Sequence, residues 1–465
     1  MSQLEISTRL HCSSAALRCT DYHCFCHPWK HHLTLKKNPV KKPQGIFPIC
    51  LTCVLPTNGL QHLLPCRKVK AIYRCQTGGL WIFLSLLILL LVMLQAAEKL
   101  QPPKRDIVFL KVHKSASSTV MNILFRFGET HNLTFAFPIG GGNQLFYPRH
   151  FLANFVQGFS PWSPQRFNIL CHHMRFLQPE VQKVVSSSAV YFSILRNPVQ
   201  LMESAFVYYK GTSAFSRAHS LEEFLSQPYH YYNPTNSDSH YAKNLMTFDF
   251  GFNPDGEVSA QRVQLMLKAI EASFDLLLIS EYFDESMVLL KEMLCWDLDS
   301  VVSFPLNIRD SSTKSPLPDT IVEKIKDWNR LDWEIYIYFN RTFWERIDRD
   351  IGRERMQQEV KALRDRQAEL ARTCLQGTGS VAPKDIKDSS LRPLQHGNAM
   401  ILGYNLRQGL DKEMEHTCRR LVTPELQYSS ILYKKQFAQQ QPQTQQPSPS
   451  QQDNVLRHRL EGTQN

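Results

Sequence analysis

The chain has 465 residues, with 53 Lys and Arg against 42 Asp and Glu and a formal charge of +11. Hydrophobic residues make up 43% and charged residues 20%, which excludes a disordered, fibrous or disulfide-stapled chain and leaves room for one large or two ordinary globular domains. Residues 1–77 hold eleven basic and two acidic side chains. The excess charge therefore sits in an N-terminal tail without a recognisable nucleic-acid module, and no nucleic-acid partner is expected.

Eight cysteines lie in or beside that tail. Cys24, Cys26, Cys50 and Cys53 stand near several histidines, but their spacing matches no two-knuckle zinc pattern, so no metal site is expected. Residues 78–97 then form an apolar run without a charged residue, about the 20 residues that cross a bilayer as a helix. Arg67, Lys68, Lys70 and Arg74 precede it and Lys99, Lys104 and Arg105 follow. The bias favours a cytosolic tail and a luminal bulk, hence a single-pass type II signal-anchor. Beyond it stand the sequons of Asn132 and Asn340, both candidate glycosylation sites. Cys374 and Cys418, in polar C-terminal sequence, are the expected disulfide, while Cys171 and Cys295 sit in apolar runs.

After a stalk over 98–105, residues 106–112 read as a buried parallel strand. His113 to Thr119 is small and hydroxyl-rich, and Val120, Ile123, Leu124 and Phe127 repeat at helical spacing toward Gly128, expected as the C-cap. Further strands are expected at 167–171, 189–195 and 274–279, with helices at 221–226, 259–272 and 281–294 between them. This alternation gives an α/β fold with a central, mainly parallel sheet flanked by helices. Residues 318–370 turn helical and charged, and their aromatics (Trp328, Trp333, Tyr336, Phe339 and Trp344) read as a packed face. A Gln- and Pro-rich stretch over 436–465 reads as a disordered tail, leaving 106–435 as the folded domain.

A strand that feeds a polar turn at a helix N-terminus is an anion site, because unpaired N–H groups and the helix dipole face the same point. Here Lys111, Lys114, Ser115, Ser117, Ser118 and Thr119 add cations and hydroxyls. A Walker A loop would read G-x-x-x-x-G-K-S/T, and this loop has no glycine, so a metal-dependent phosphotransferase is disfavoured. After the third strand come Arg196-Asn-Pro198 and then Ser204, an arginine fork and a hydroxyl suited to a second phosphate.

The stretch Lys111 to Thr119 resembles the 5′-phosphosulfate loop of sulfotransferases, and Arg196 with Ser204 resembles their 3′-phosphate site. The form K-x-H-K-x-A-S-S-T is similar to the galactose 3-O-sulfotransferases. So are Phe125-Arg-Phe-Gly128, Phe135-Ala-Phe-Pro138, Cys171-His-His-Met-Arg-Phe176, Glu281-Tyr-Phe-Asp-Glu-Ser286, Ile401-Leu-Gly-Tyr-Asn405 and Leu421-Val-Thr-Pro-Glu-Leu-Gln-Tyr428. The resemblance implies a P-loop-like sulfotransferase fold in the Golgi membrane, compatible with a homodimer. It implies 3′-phosphoadenosine 5′-phosphosulfate as donor, no metal, and the 3-hydroxyl of a terminal β-galactose on a glycoprotein glycan or glycolipid as acceptor.

Lys114 is then the cation on the leaving group. The resemblance places the expected base at His173, just past the strand after the donor loop, with His113 as the second candidate. His172 and Arg175 are assigned to the acceptor, although alternation along the strand sends His172 and His173 to opposite sides. Tyr229 to Tyr232 and the turn from Asn233 to His240 offer stacking for a sugar ring or, equally, packing of a loop. The competing reading is a non-catalytic glycan-binding or retention protein that keeps the fold.

Overall fold

A computed structural model describes residues 82–90, 101–313, 316–377 and 379–438. The tail over 1–77, with its cysteines, and the stretch from 439 onward lie outside the described residues. Of the apolar run, only 82–90 is described, as an exposed helix. Among the described residues no helix is long and apolar enough to cross a membrane.

Four strands, β1 (Ile107–Leu110), β2 (Ile169–Leu170), β3 (Val190–Leu195) and β4 (Leu276–Ile279), form one parallel sheet in the order β2-β1-β3-β4. The register pairs Ile107 with both Ile169 and Val190, and Phe192 with Leu276. All four residues of β1 are fully buried, as expected of a strand covered on both faces. Parallel pairing sends every strand's carboxyl end to one edge. From there the chain leaves β1 toward β2 and leaves β3 toward β4. The gap between β1 and β3 is therefore the switch point at which open α/β sheets bind ligands.

Helix α1 (Ser117–Thr130) follows β1 and buries Val120, Ile123, Leu124 and Phe127. It does not stop at Gly128. That glycine lies inside the helix because a Cβ there would meet the Phe135 ring at 2.3 Å. The C-cap is His131, and Asn132 just past it takes a left-handed φ of 52°. Helix α2 (Pro198–Tyr208) starts directly after β3, with Pro198 in its first turn and the Asn197 side chain accepting from the Val199 N–H.

The remaining helices include α3 (Leu221–Ser226), α4 (Leu245–Asp249), α5 (Ala260–Ser273), α6 (Phe283–Leu294), α7 (Asp319–Trp328), α8 (Arg330–Asp350), α9 (Arg353–Cys374), α10 (Lys412–Val422) and α11 (Glu425–Phe437). Trp328, Tyr336 and Phe339 are buried and Trp333 and Trp344 pack beside them, so the aromatics of α7 and α8 are core. Asp332 of α8 is buried and accepts from the Met246 and Thr247 N–H groups and the Thr247 hydroxyl. Burial pushes its carboxyl up to about 6, and the three donors fix the start of α4.

Two expected boundaries move. Lys104 donates its N–H to Leu294 and accepts from the Trp296 indole, so the end of the stalk is docked on the domain. At the other end α11 runs to Phe437. The Gln436 amide both accepts from the Phe135 N–H and donates to its carbonyl, which makes it part of the fold.

Asn132 is exposed in a turn, while Asn340 lies inside α8 with its Oδ1 buried. Cys374 and Cys418 are bridged across 44 residues, although both sit on helices and not in loops, and Cys171 and Cys295 are free thiols. Closing a loop of that length removes denatured-state entropy worth about 4 kcal/mol. Replacing both bridged cysteines with alanine should lower the unfolding free energy by roughly 2–4 kcal/mol in a denaturant titration; an unchanged midpoint would show that the bridge constrains nothing.

Candidate active site

The loop between β1 and α1 achieves without glycine what a phosphate loop needs. Lys114 and Ala116 both take left-handed φ, at 59° and 64°, with Ser115 between them outside that region. Such alternation turns successive N–H groups to one side, forming a concave anion nest, at a cost of roughly 1–2 kcal/mol per non-glycine residue. The Ser115 and Ser117 hydroxyls donate to the Val112 carbonyl at 2.9 and 2.8 Å, which holds the turn in shape. Ser118 donates to Glu425 at 2.6 Å, and Thr119 Oγ1 accepts from the Leu306 N–H. The loop hydroxyls thus brace the loop, and the backbone N–H groups of the α1 N-terminus face a cleft of about 580 Å³.

Cations gather on that cleft. Lys111, 3% exposed, pairs with Glu425 at 3.1 Å. Burial alone would push the Glu425 carboxyl up, but Lys111 and Ser118 outweigh it and hold the group below the usual range. The Lys114 ammonium lies 3.5 Å above the Tyr208 ring. Desolvation, reinforced by Arg196, Lys111 and Arg309, lowers it to about 7. Arg196 donates to the Lys114 carbonyl at 2.8 Å, tying the β3 exit to the loop. Ser204 lines the same cleft from the second turn of α2, further in than a helix start.

Two histidines stack beside the loop with ring centroids 3.7 Å apart. His113 makes an Nδ1 contact of 2.9 Å with Asp249, which also accepts its backbone N–H and the Tyr147 hydroxyl. A carboxylate only accepts, so Nδ1 carries the hydrogen, and in the neutral ring it is Nε2 that holds the lone pair. His173 is arranged differently. Its Nδ1 donates to the Lys111 carbonyl and its Nε2 accepts from the Lys111 ammonium at 2.9 Å. Burial, with His113 and Lys111 adding to it, holds the His173 ring well below the ordinary histidine range.

The structure brings Lys111, His113, Lys114, Ser115, Ser117, Ser118, Thr119, His173, Arg196 and Ser204 together on one cleft. It does not bring His172 or Arg175 there. His172 is buried among Phe125 and Phe137 with Nε2 against the Ser429 hydroxyl, and burial lowers it to about 3. Arg175 stacks on Phe248 and donates to the Phe252 carbonyl. Tyr229 packs edge-on against Trp328 away from the cleft, whereas Asp238, from the turn after it, lines the cleft with Asn143, Gln144 and Tyr241.

Residues to which sequence reasoning gives no role are Asp249, Glu425, Glu203 and Arg309. Asp249 carried a signal: it is a lone acid between Phe248 and Phe250, and a carboxylate in an aromatic run needs a buried partner. Arg309 had no comparable local mark.

A family model described as galactose-3-O-sulfotransferase matches residues 71–436. The chain belongs to the galactose-3-O-sulfotransferase family. Galactose-3-O-sulfotransferase 2 of Sus scrofa is 49% identical over 344 residues, covering 73% of this chain and 86% of that protein. Galactosylceramide sulfotransferase of Homo sapiens is 42% identical over 331 residues, 70% of this chain and 77% of that protein. Galactose-3-O-sulfotransferase 4 of Bos taurus is 39% identical over 407 residues, covering 72% and 84%. As in those relatives by name, the reaction class of the family is sulfuryl transfer, and the loop, its cations and the histidine pair stand where the sheet puts its ligand site.

The Lys111–Glu425 pair gives a test that needs no substrate. Glu425→Ala leaves a buried ammonium uncompensated and should destabilise the fold by about 3–5 kcal/mol in urea unfolding, while Lys111→Met combined with Glu425→Gln recovers most of the loss. A loss under about 1 kcal/mol for the single variant would mean the pair is not what holds the loop to α11.

Proposed function

We propose that this chain transfers a sulfuryl group from 3′-phosphoadenosine 5′-phosphosulfate to the 3-hydroxyl of a terminal β-galactose on a glycan or glycolipid. The observation that carries the reading is the meeting of an anion nest, four cations and an Asp249-oriented His113 in one cleft. The donor's 5′-phosphate sits on the loop N–H groups and its 3′-phosphate near Arg196 and Ser204. The acceptor enters past Asn143, Gln144 and Asp238, whose polar groups suit sugar hydroxyls.

The acceptor oxygen forms a bond to sulfur as the bond from sulfur to the bridging oxygen breaks, and the adenosine bisphosphate leaves. Negative charge grows on the leaving oxygen, where Lys114 stabilises it. The acceptor proton passes to Nε2 of His113, and Asp249 stabilises the imidazolium. His173 is better suited to holding Lys111, because its own lone pair is taken by that ammonium. Lys and Arg supply the countercharge in this scheme, and among the described residues no group of three or more His, Cys, Asp and Glu side chains is placed to hold a metal ion.

We further propose residues 78–97 as a signal-anchor with the domain in the Golgi lumen. The apolar run, the bridged cysteines and the exposed sequon at Asn132 support that placement.

The direct test is sulfate transfer by the full chain from labelled donor to a panel of β-galactosides with O3 free or methylated. Product should form only with free O3, and Lys114→Ala should lower kcat by about 10²–10³. Donor binding without product would favour the non-catalytic reading, and no donor binding by a folded chain would contradict the assignment. The low Lys114 value adds a pH signature. Donor anions raise its pKa from about 7, so binding above pH 7 takes up a proton and affinity falls as pH rises. Lys114→Arg stays charged and should flatten that slope in calorimetry; a slope unchanged in that variant would assign the proton elsewhere.

A further inference from the structure

Among the described residues, Arg309 is a cationic side chain of the cleft with buried donors left unpaired. Its side chain is 9% exposed, and Nη2 donates to Glu203 at 2.6 Å. Nε and Nη1 are buried with no partner among the described residues. A buried guanidinium with two unpaired donors costs several kcal/mol unless something fills them. Its neighbours show where those donors are useful. Arg309 and Glu203 line the cleft together with Arg196, Ser204 and Lys114, and Arg309 is close enough to repel both Lys114 and Arg196.

The position is rigid. The Arg309 backbone bridges Ile401, Leu402 donates to the Ile308 carbonyl and Asp310 donates to the Met400 carbonyl. Glu203 adds an ion pair next to Ser204 in sequence, so the guanidinium is held beside the α2 turn that presents the serine. A planar arginine with Nη2 anchored and its Nε and Nη1 donors buried and unpaired has the fork geometry that binds a phosphate.

We propose that Arg309, oriented by Glu203, is a donor-binding residue that takes the 3′-phosphate of the nucleotide together with Arg196 and Ser204. Its unpaired donors give the cleft a way to distinguish a 3′-phosphorylated adenosine nucleotide from one lacking that group. The inference rests on the sulfuryl-donor reading above and adds the residue that selects the nucleotide.

The test compares binding of adenosine 3′,5′-bisphosphate and adenosine 5′-monophosphate to the full chain by calorimetry. The wild type should prefer the bisphosphate. Arg309→Gln should weaken bisphosphate binding at least 30-fold and change monophosphate binding less than 3-fold. Because that variant strands Glu203, the double variant Arg309→Gln with Glu203→Gln serves as the fold-preserving partner, with thermal melting as control, and should show the same selective loss. Glu203→Gln alone should keep the preference for the bisphosphate. Equal loss for both nucleotides, or no loss, in the folded double variant would overturn the assignment of Arg309 while leaving the sulfotransferase reading intact. A folded wild type that binds neither nucleotide would overturn both.

Discussion

Asp249 is the constraint around which the site is arranged. It is wholly buried and accepts from the His113 backbone, the His113 ring and the Tyr147 hydroxyl. Without those donors a buried carboxylate would be costly, so the fold commits three groups from two distant segments to it. Asp249 in turn sits at the end of α4, whose start is held by Asp332 of α8. A chain of polar contacts thus runs from the helical layer through α4 to the ring nitrogen that faces the cleft.

The second constraint is repulsion. Lys111, Lys114, Arg196 and Arg309 crowd one cleft, and each is answered by something specific. Glu425 takes Lys111, Glu203 takes Arg309, the Tyr208 ring supports Lys114, and Arg196 donates to a loop carbonyl. What remains uncompensated is the lowered Lys114 and the unpaired donors of Arg309. In the proposed function those two are where a polyanionic donor would gain most, because its charge relieves a cost the cleft already carries.

Much of this was legible in the chain because it is local. Strand β1, the hydroxyl-rich turn, the helix after it and the pair of Arg196 and Ser204 each read from fewer than a dozen consecutive residues. Alternation also separated His172 from His173, and the structure sends one under α11 and the other to the cleft. The contacts that decide roles were not legible. Asp249 lies 136 residues from His113 and Glu425 lies 307 residues from Ser118, and no local pattern reports such pairing. The preference for His173 as base came from the family resemblance, in which a histidine just past the strand after the donor loop is catalytic; its contact with Lys111, seen only in three dimensions, is why the proposed mechanism uses His113. Gly128 misled for a related reason, since its small size serves the Phe135 ring and not a helix end.

The central claim is that His113, oriented by Asp249, takes the acceptor proton, and that His173 holds Lys111. Turnover at saturating donor and β-galactoside, measured for His113→Gln and His173→Gln, tests it most directly. The account predicts that His113→Gln lowers kcat by about 10²–10⁴ with donor affinity nearly unchanged. His173→Gln, whose amide oxygen can still accept from Lys111, should lose less than about tenfold in kcat and show its effect in donor affinity. The reverse order, with His173→Gln inactive and His113→Gln still turning over, would contradict the account.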